Sequence, residues 1–226
     1  IDLLKSEWLS ADSGSFAFHP TQTISRDEVR ISEATQNSGA SVLNTLNIAL
    51  DFAKDGIVNA VVFAPFNKQA MHFAGLGHDD ELHYMATRLK VNNYISELNT
   101  FDGMWTSRVT SHIALKEVAK RINEQSIGEA VRLIHGVLCN SGIRSPKISV
   151  AALNPHAGDG GNFGREEIDV ISPAVQALQS EGFPVDGPWP SDTVFLKAIA
   201  KEIDAVVTMY HDQGQIALKL LGFSRG

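Results

Sequence analysis

The sequence is poor in cysteine and has no excess of positive charge, and each shortage closes off a class of protein. Cys139 is the only cysteine among 226 residues, so a disulfide framework and any cysteine-rich zinc module are excluded. A reducing compartment, the cytoplasm, is expected. A net charge of −7 provides no broad basic surface, so no nucleic-acid partner is expected. The longest apolar runs, such as Ala60 to Phe66, fall far short of the ~20 residues that cross a membrane, and no secretory leader is visible. A Gly-x-Ser-x-Gly elbow is missing and Cys139 falls in an apolar helical stretch, which leaves serine or cysteine nucleophile chemistry without support. Internal repeats, low-complexity tracts and Pro/Ser-rich linkers are missing too.

What is present is an ordinary globular composition, 43% hydrophobic and 20% charged, with two kinds of segment alternating along it. Short β-branched runs predict buried strands at Asn59 to Ala64, Arg108 to Thr110, Lys147 to Leu153 and Asp204 to Met209. Helical spacing predicts Gly39 to Lys54, with Val42, Leu46, Ala49, Leu50 and Ala53 on one face, and Ser126 to Asn140, with Ala130, Leu133, Ile134, Val137 and Leu138 on one face. A third helix is expected over Glu166 to Gln179, kinked or restarted at Pro173. Near-continuous apolar strands between helices imply an α/β protein with a mostly parallel sheet covered on both faces. The charged opening, Asp2 to Arg30, has weak periodicity and stays unassigned. The start at Ile1 and the stop at Ser224-Arg225-Gly226, directly after an apolar stretch, read as a segment that lacks flanking parts of its fold.

Ligands of open parallel sheets bind beyond the carboxyl ends of the strands, so the residues that follow each predicted strand carry the chemistry. They are Pro65-Phe66-Asn67-Lys68, Ser111-His112, Asn154-Pro155-His156 with Ala157-Gly158-Asp159-Gly160-Gly161, and Tyr210-His211-Asp212-Gln213-Gly214. Three of the four carry a histidine. Neutral imidazole is the commonest metal ligand, so His112, His156 and His211 can hold a divalent ion if their strands are neighbours. Taken singly, each is more often an ordinary loop histidine; the shared placement argues for a common cause. His135 sits within a helix and reads as structural. The glycine-rich run meets neither the Rossmann nor the P-loop spacing and by itself is a tight turn. Lys68 and Lys219 are candidate substrate anchors or proton-transfer groups. Asp192 and Asp212 are candidate carboxylates, Asp192 being equally a good helix N-cap.

Five strings together resemble the 4-hydroxythreonine-4-phosphate dehydrogenase (PdxA) family: Ala64 to Lys68, Thr110 to Leu115, Leu153 to Gly161, Gly187 to Thr193, and Met209 to Gly214. The likeness runs from about Ser32 to Gly226. It implies two α/β lobes around a cleft, similar to isocitrate and isopropylmalate dehydrogenases. It implies NAD or NADP as cofactor for oxidising a secondary alcohol, with loss of CO₂ from the β-keto acid, and a divalent metal (zinc, magnesium or cobalt). The family's three metal-binding histidines match His112, His156 and His211, in a site shared by two subunits, so a homodimer is implied. The family lysine that contacts substrate matches Lys219, and Lys219 or Asp212 would relay the proton. Asn67 and Lys68 lie in the family's Asn-Lys loop and, with His78, Asp79 and Lys219, are the expected substrate-binding residues. On this reading the 226 residues form one dehydrogenase unit of two lobes that lacks N-terminal and C-terminal parts.

One string departs. Where the family has Gly-His-Thr-Glu, with the His-Thr pair helping to hold substrate, this chain reads Gly77-His78-Asp79-Asp80-Glu81. Either His78 is retained with Asp79 in place of Thr, or Asp79-Asp80 replace the pair. A carboxylate ~4 Å from a substrate phosphate repels it by about 4 kcal/mol at an effective dielectric of about 20. The expected substrate is 4-phosphohydroxy-L-threonine or a close analogue. The alternatives are a four-carbon sugar-acid phosphate, a dihydrodiol of an aromatic acid, or a non-catalytic relative that keeps the metal.

Overall fold

The structure, a computed structural model, describes residues 18–222. The opening as far as Ala17 and the closing Phe223 to Gly226 lie outside the described residues. The chain divides into two compact units, Ile1–Asn93 and Tyr94–Gly226.

The described residues of the first unit form helices and connecting segments. Helix α1 (Gln36–Lys54) starts where Thr35 accepts a hydrogen bond from the Ser38 N–H, and it buries Gly39, Leu43, Leu46 and Leu50. That stripe follows the i, i+4, i+7 spacing of one helix face; Val42, Ala49 and Ala53, expected on the face, are only half-buried. Helices α2 (Lys68–Phe73) and α3 (Glu81–Leu89) complete a small core of the α1 leucines with Met71 and Leu76.

The strand expected at Asn59 to Ala64 does not form. A β-branched run becomes a strand only by exchanging backbone hydrogen bonds with a neighbour. Among the described residues this unit holds no strand to pair with it, and the segment stays outside any regular element with Val62 95% exposed.

The second unit is a five-stranded sheet: β1 (Asn99–Phe101), β2 (Met104–Arg108), β3 (Ile148–Ala151), β4 (Val185–Trp189) and β5 (Ala205–Thr208). Its order is β1-β2-β5-β3-β4, parallel except for β1. Between the strands run α4 (Val118–Arg121), α5 (Glu124–Asn140), α6 (Ser172–Ser180) and α7 (Val194–Ile199), and α8 (His211–Gly222) follows β5. All four residues of β3 and of β5 are buried, as a strand covered on both faces requires. Val207 and Ala205 pack with Ile127, Val131, Ile134 and Leu138 of α5. Val206, one position out of phase, packs with Val194, Ala198 and Leu218 of α7 and α8. Each fully buried Ile, Leu or Val is worth about 1.5–3 kcal/mol relative to exposure, so the α5 face is a principal anchor of the unit.

Two of the expected helices begin slightly early, α1 at Gln36 and α5 at Glu124, where Asn123 caps through the Ser126 N–H; the third begins late, Pro173 sitting in the first turn of α6, where it restarts the helix after a π-turn over Glu167–Ile171. The expected strand at Arg108 to Thr110 lies mostly beyond β2, yet the Val109 and Thr110 N–H groups still bond to the carbonyls of Thr208 and Met209. Strand β4 is unanticipated, because Gly187-Pro188 reads as a turn. It lies at the sheet edge, where proline's missing N–H is tolerated. Gly187 has φ +133°, and a Cβ there would sit 2.5 Å from the Val150 carbonyl oxygen. Asp192 is not the α7 cap: that position is Thr193, and Asp192 is exposed in the preceding turn. Among the described residues no helix is long and apolar enough to cross a membrane.

Candidate functional site

Strands β2, β5 and β3 are consecutive neighbours in the sheet, and His112, His211 and His156 follow their carboxyl ends in that order. The structure brings two of the three together: the His112 and His211 rings lie 5.4 Å apart, tilted by 43°. Two imidazoles bound at 2.0–2.1 Å to one tetrahedral zinc place their centroids about 5 Å apart. Each ring is also held from behind. Asp212 Oδ1 lies 2.7 Å from His211 Nδ1, and because a carboxylate only accepts, the proton sits on Nδ1 and the Nε2 lone pair is left to bind. Ser111 Oγ lies 3.4 Å from His112 Nδ1 and accepts from Arg108 Nε at 3.0 Å. Arg108 is itself buried, donating to Asn99 Oδ1 and paired with Glu97. The donor set thus fits a divalent ion.

His156 is not brought to that pair. It is exposed, and its nearest ring partner is Phe163 at 6.3 Å. Among the described residues no group of three or more His, Cys, Asp or Glu is placed to hold a metal. The loop that carries His156 is unusual. His156, Ala157, Gly158, Asp159 and Gly160 all have positive φ (53°, 52°, 80°, 44°, 65°), one turn of left-handed helix. For each of its three non-glycine residues that conformation costs roughly 1–2 kcal/mol. The glycine-rich run is more than a tight turn.

Lys219 is exposed on α8 eight residues after His211, about 12 Å along the helix axis. Asp212 is occupied with His211, a contact that orients the imidazole.

Asn67, Lys68, His78 and Asp79 belong to the first unit. Asn67 caps α2 by accepting from the Ala70 N–H at 3.0 Å. Lys68 Nζ forms an ion pair with Glu81 at 3.2 Å. The His78 ring meets Tyr84 edge-on at 6.1 Å, and Asp79 is exposed. Asp80 instead caps α3, accepting from the His83 N–H at 2.8 Å and lying 2.6 Å from His83 Nδ1. Burial pushes the Asp80 carboxyl up, but the His83 N–H and ring, with Lys68, outweigh it and hold it below the usual aspartate value of 3.8. Its folded value therefore lies below its unfolded one. The cap's charge contribution is complete above the unfolded value and is lost as pH falls through the folded value. Asp80→Asn keeps a capping oxygen without the titration. Its His83 amide signal should be less sensitive to acid than that of the wild type; equal sensitivity would remove the carboxylate from the cap.

His135, within α5 as expected, packs edge-on against Phe183 at 4.9 Å. The residue that sequence reasoning missed is Glu167, 2% exposed beneath the His156 loop. Its only signal is a pair of acidic residues, Glu166-Glu167, at a helix start, which ordinarily marks a solvated first turn. A cavity of about 330 Å³ among Lys147, Phe183, Asp186, Lys197 and Glu202 lies toward the amino ends of the strands, the opposite edge from the histidines.

Comparison with known proteins agrees with this architecture. The family described as "Pyridoxal phosphate biosynthetic protein PdxA" matches residues 6–226. A Pseudomonas aeruginosa relative named "Putative 4-hydroxythreonine-4-phosphate dehydrogenase 2" is 51% identical over 210 residues, 92% of this chain and 62% of the relative. A Pectobacterium atrosepticum relative named "D-threonate 4-phosphate dehydrogenase" is 40% identical over 178 residues, 79% of this chain and 54% of that protein. The crystal structure of 4-hydroxythreonine-4-phosphate dehydrogenase from Klebsiella pneumoniae superposes with a TM-score of 0.81 at 36% identity, covering 88% of this chain and 60% of that one. The chain thus spans little more than half to three-fifths of the length of these relatives, and it belongs to the PdxA family.

Proposed function

We propose that this chain carries the metal-binding part of an NAD(P)-linked dehydrogenase that oxidises and decarboxylates 4-phosphohydroxy-L-threonine or a close hydroxy-acid phosphate, of the pyridoxal phosphate biosynthesis type. The observation that carries the reading is the His112–His211 pair, 5.4 Å apart on loops after adjacent parallel strands, with His211 fixed through Nδ1 by Asp212. His112 and His211 bind zinc, magnesium or cobalt through Nε2, and His156 of a second protomer completes the shell. That makes the active form a homodimer, in the cytoplasm. Bound there, a divalent ion supplies Lewis acidity toward the substrate's secondary hydroxyl and toward the negative charge that develops as CO₂ departs. NAD or NADP, when bound, would supply the hydride acceptor. Asp212 holds the imidazole in the binding tautomer. Lys219, further along α8, holds the substrate's anionic end or relays the proton. In the first unit, Asn67 and Lys68 shape the loop before α2, and His78 and Asp79 stand where the family contacts substrate.

The relative named for D-threonate 4-phosphate supports a second substrate of the same class. Turnover is followed by the absorbance of reduced nicotinamide with NAD⁺ or NADP⁺, each metal in turn, and 4-phosphohydroxy-L-threonine, D-threonate 4-phosphate and a non-phosphorylated dihydrodiol. Metal-dependent reduction with one of the two phosphates is expected. Turnover of the dihydrodiol alone would reassign the substrate, and stoichiometric metal binding without any turnover would leave a binding protein.

A further inference from the structure

The left-handed turn that carries His156 is conformationally costly, and such strain persists only where the surroundings over-determine it. Part of the hold is local, the Gly158 and Asp159 carbonyls accepting from the Phe163 and Asn162 N–H groups, and the rest comes mainly from one buried side chain beneath the turn. Glu167 Oε1 accepts the N–H groups of Leu153 and Asn154 at 2.8 and 2.7 Å, and its Oε2 accepts from Asn154 Nδ2 at 2.9 Å. These are the two residues through which β3 leaves the sheet, and Asn154 is two positions before His156. The turn itself is folded down onto the same carboxylate: a Cβ on Gly158 would lie 2.7 Å from Glu167 Oε2. Asn154 Nδ2 is also bonded to Glu166 Oε2 at 2.6 Å, so both acidic residues grip one amide. Glu167 reaches this point because it opens the π-turn Glu167–Ile171, whose wider winding re-aims side chains relative to a regular helix.

Among the described residues no ion pair involves Glu167. A buried carboxylate with three N–H donors and no cation is costly unless all its bonds are kept, so it admits one loop geometry and penalises others. We infer that Glu167 is a positioning residue: it clamps the exit of β3 and the left-handed turn so that His156 is presented preformed to the divalent ion. The inference rests on the reading of His156 as a metal ligand. His156 touches the ion; Glu167 acts only through it.

The test is a Co²⁺ titration of the full 226-residue chain, followed by its visible ligand-field spectrum, in four forms: wild type, His156→Ala, Glu167→Gln and the double variant. In Glu167→Gln the new amide must point its NH₂ either at the two backbone N–H groups or at Asn154 Nδ2, so one set of bonds is lost whichever way it turns. Glu167→Gln should bind Co²⁺ about 10–100-fold more weakly, the range for losing an outer partner of a metal ligand. It should produce no further loss once His156 is absent. A residue that only stabilises the fold would weaken binding equally in both backgrounds. Ala157→Gly added to Glu167→Gln relaxes the turn, since glycine takes positive φ freely, and should recover part of the lost affinity.

Wild-type affinity in Glu167→Gln while His156→Ala is weakened overturns this inference alone. So does an equal loss in both backgrounds, or a failure of Ala157→Gly to restore any affinity. Unaltered binding in His156→Ala overturns the metal role of His156 and this inference with it. If Glu167→Gln does not fold, Glu167→Asp takes its place in the same cycle with the same readings, because it keeps the charge but withdraws the oxygens by a methylene.

Discussion

His211→Ala should lower divalent-metal affinity by more than about 100-fold and abolish the proposed metal-dependent turnover, with little change in thermal stability. The argument is local. His211 is the first residue of α8 and is partly exposed, while α8 is held to the sheet by buried Gly214 and Leu218 and by Gln213, whose side chain accepts from the Met209 N–H and donates to the Ala152 carbonyl. Removing the imidazole therefore costs the core almost nothing and takes away one of the two rings that the chain itself brings together. Asp212→Asn separates binding from orienting. Its amide can donate to Nδ1, which favours the tautomer with the proton on Nε2, where the ion would bind. Metal affinity should fall by about 10–100-fold, less than in His211→Ala. Calorimetric titration with Zn²⁺ measures both. Wild-type affinity in His211→Ala would remove the pair from the metal site, and equal losses in the two variants would show that Asp212 is a ligand in its own right.

That the histidines can be picked out from the sequence follows from the logic of parallel sheets. β3 and β5 are mostly apolar, with only Ser149 and Thr208 polar, because they are buried on both faces, which makes their ends visible, and the residues after such an end are where a parallel sheet meets ligands. The same logic fails for Asn59 to Ala64, whose composition is that of a strand but which has no partner among the described residues of its unit. Strand formation is a property of pairs, and a single run of letters carries no information about its neighbour. β4 is hidden for the opposite reason: Gly187-Pro188 punctuates the sequence like a turn, while at a sheet edge it does no harm. Glu167 is invisible because burial decides its role. An acidic pair at a helix start usually faces water, and only the π-turn turns the second carboxylate inward under the His156 loop. Asn67 and Asp80 stand in strings expected from the family resemblance to contact substrate, and both do local work as helix caps. Capping and substrate contact favour the same short polar side chains, so the sequence alone does not separate them.

The first unit offers the other large effect. Gly39→Ala should destabilise it by about 3 kcal/mol, although glycine to alanine in a helix interior normally stabilises by about 1 kcal/mol. Gly39 is buried in α1, and a Cβ there would fall inside the contact radius of the Ala70 carbonyl and press on the Ala74 methyl at 3.0 Å. Neither obstacle is the far end of a flexible side chain: Ala70 O accepts the Ala74 N–H that ends α2, so moving it breaks that bond. The alternative is for α1 and α2 to separate. That would open the contact between Leu43, Leu46 and Leu50 and Met71, which is most of this unit's core among the described residues. α2 is only six residues long and cannot hold itself together without that packing. The disturbance should therefore spread to Asn67 and Lys68 at its start, with hydrogen exchange accelerating across 67–76 while β3 and β5 remain protected. A variant with wild-type or higher stability would mean that α1 and α2 sit further apart than the Gly39–Ala70 contact requires.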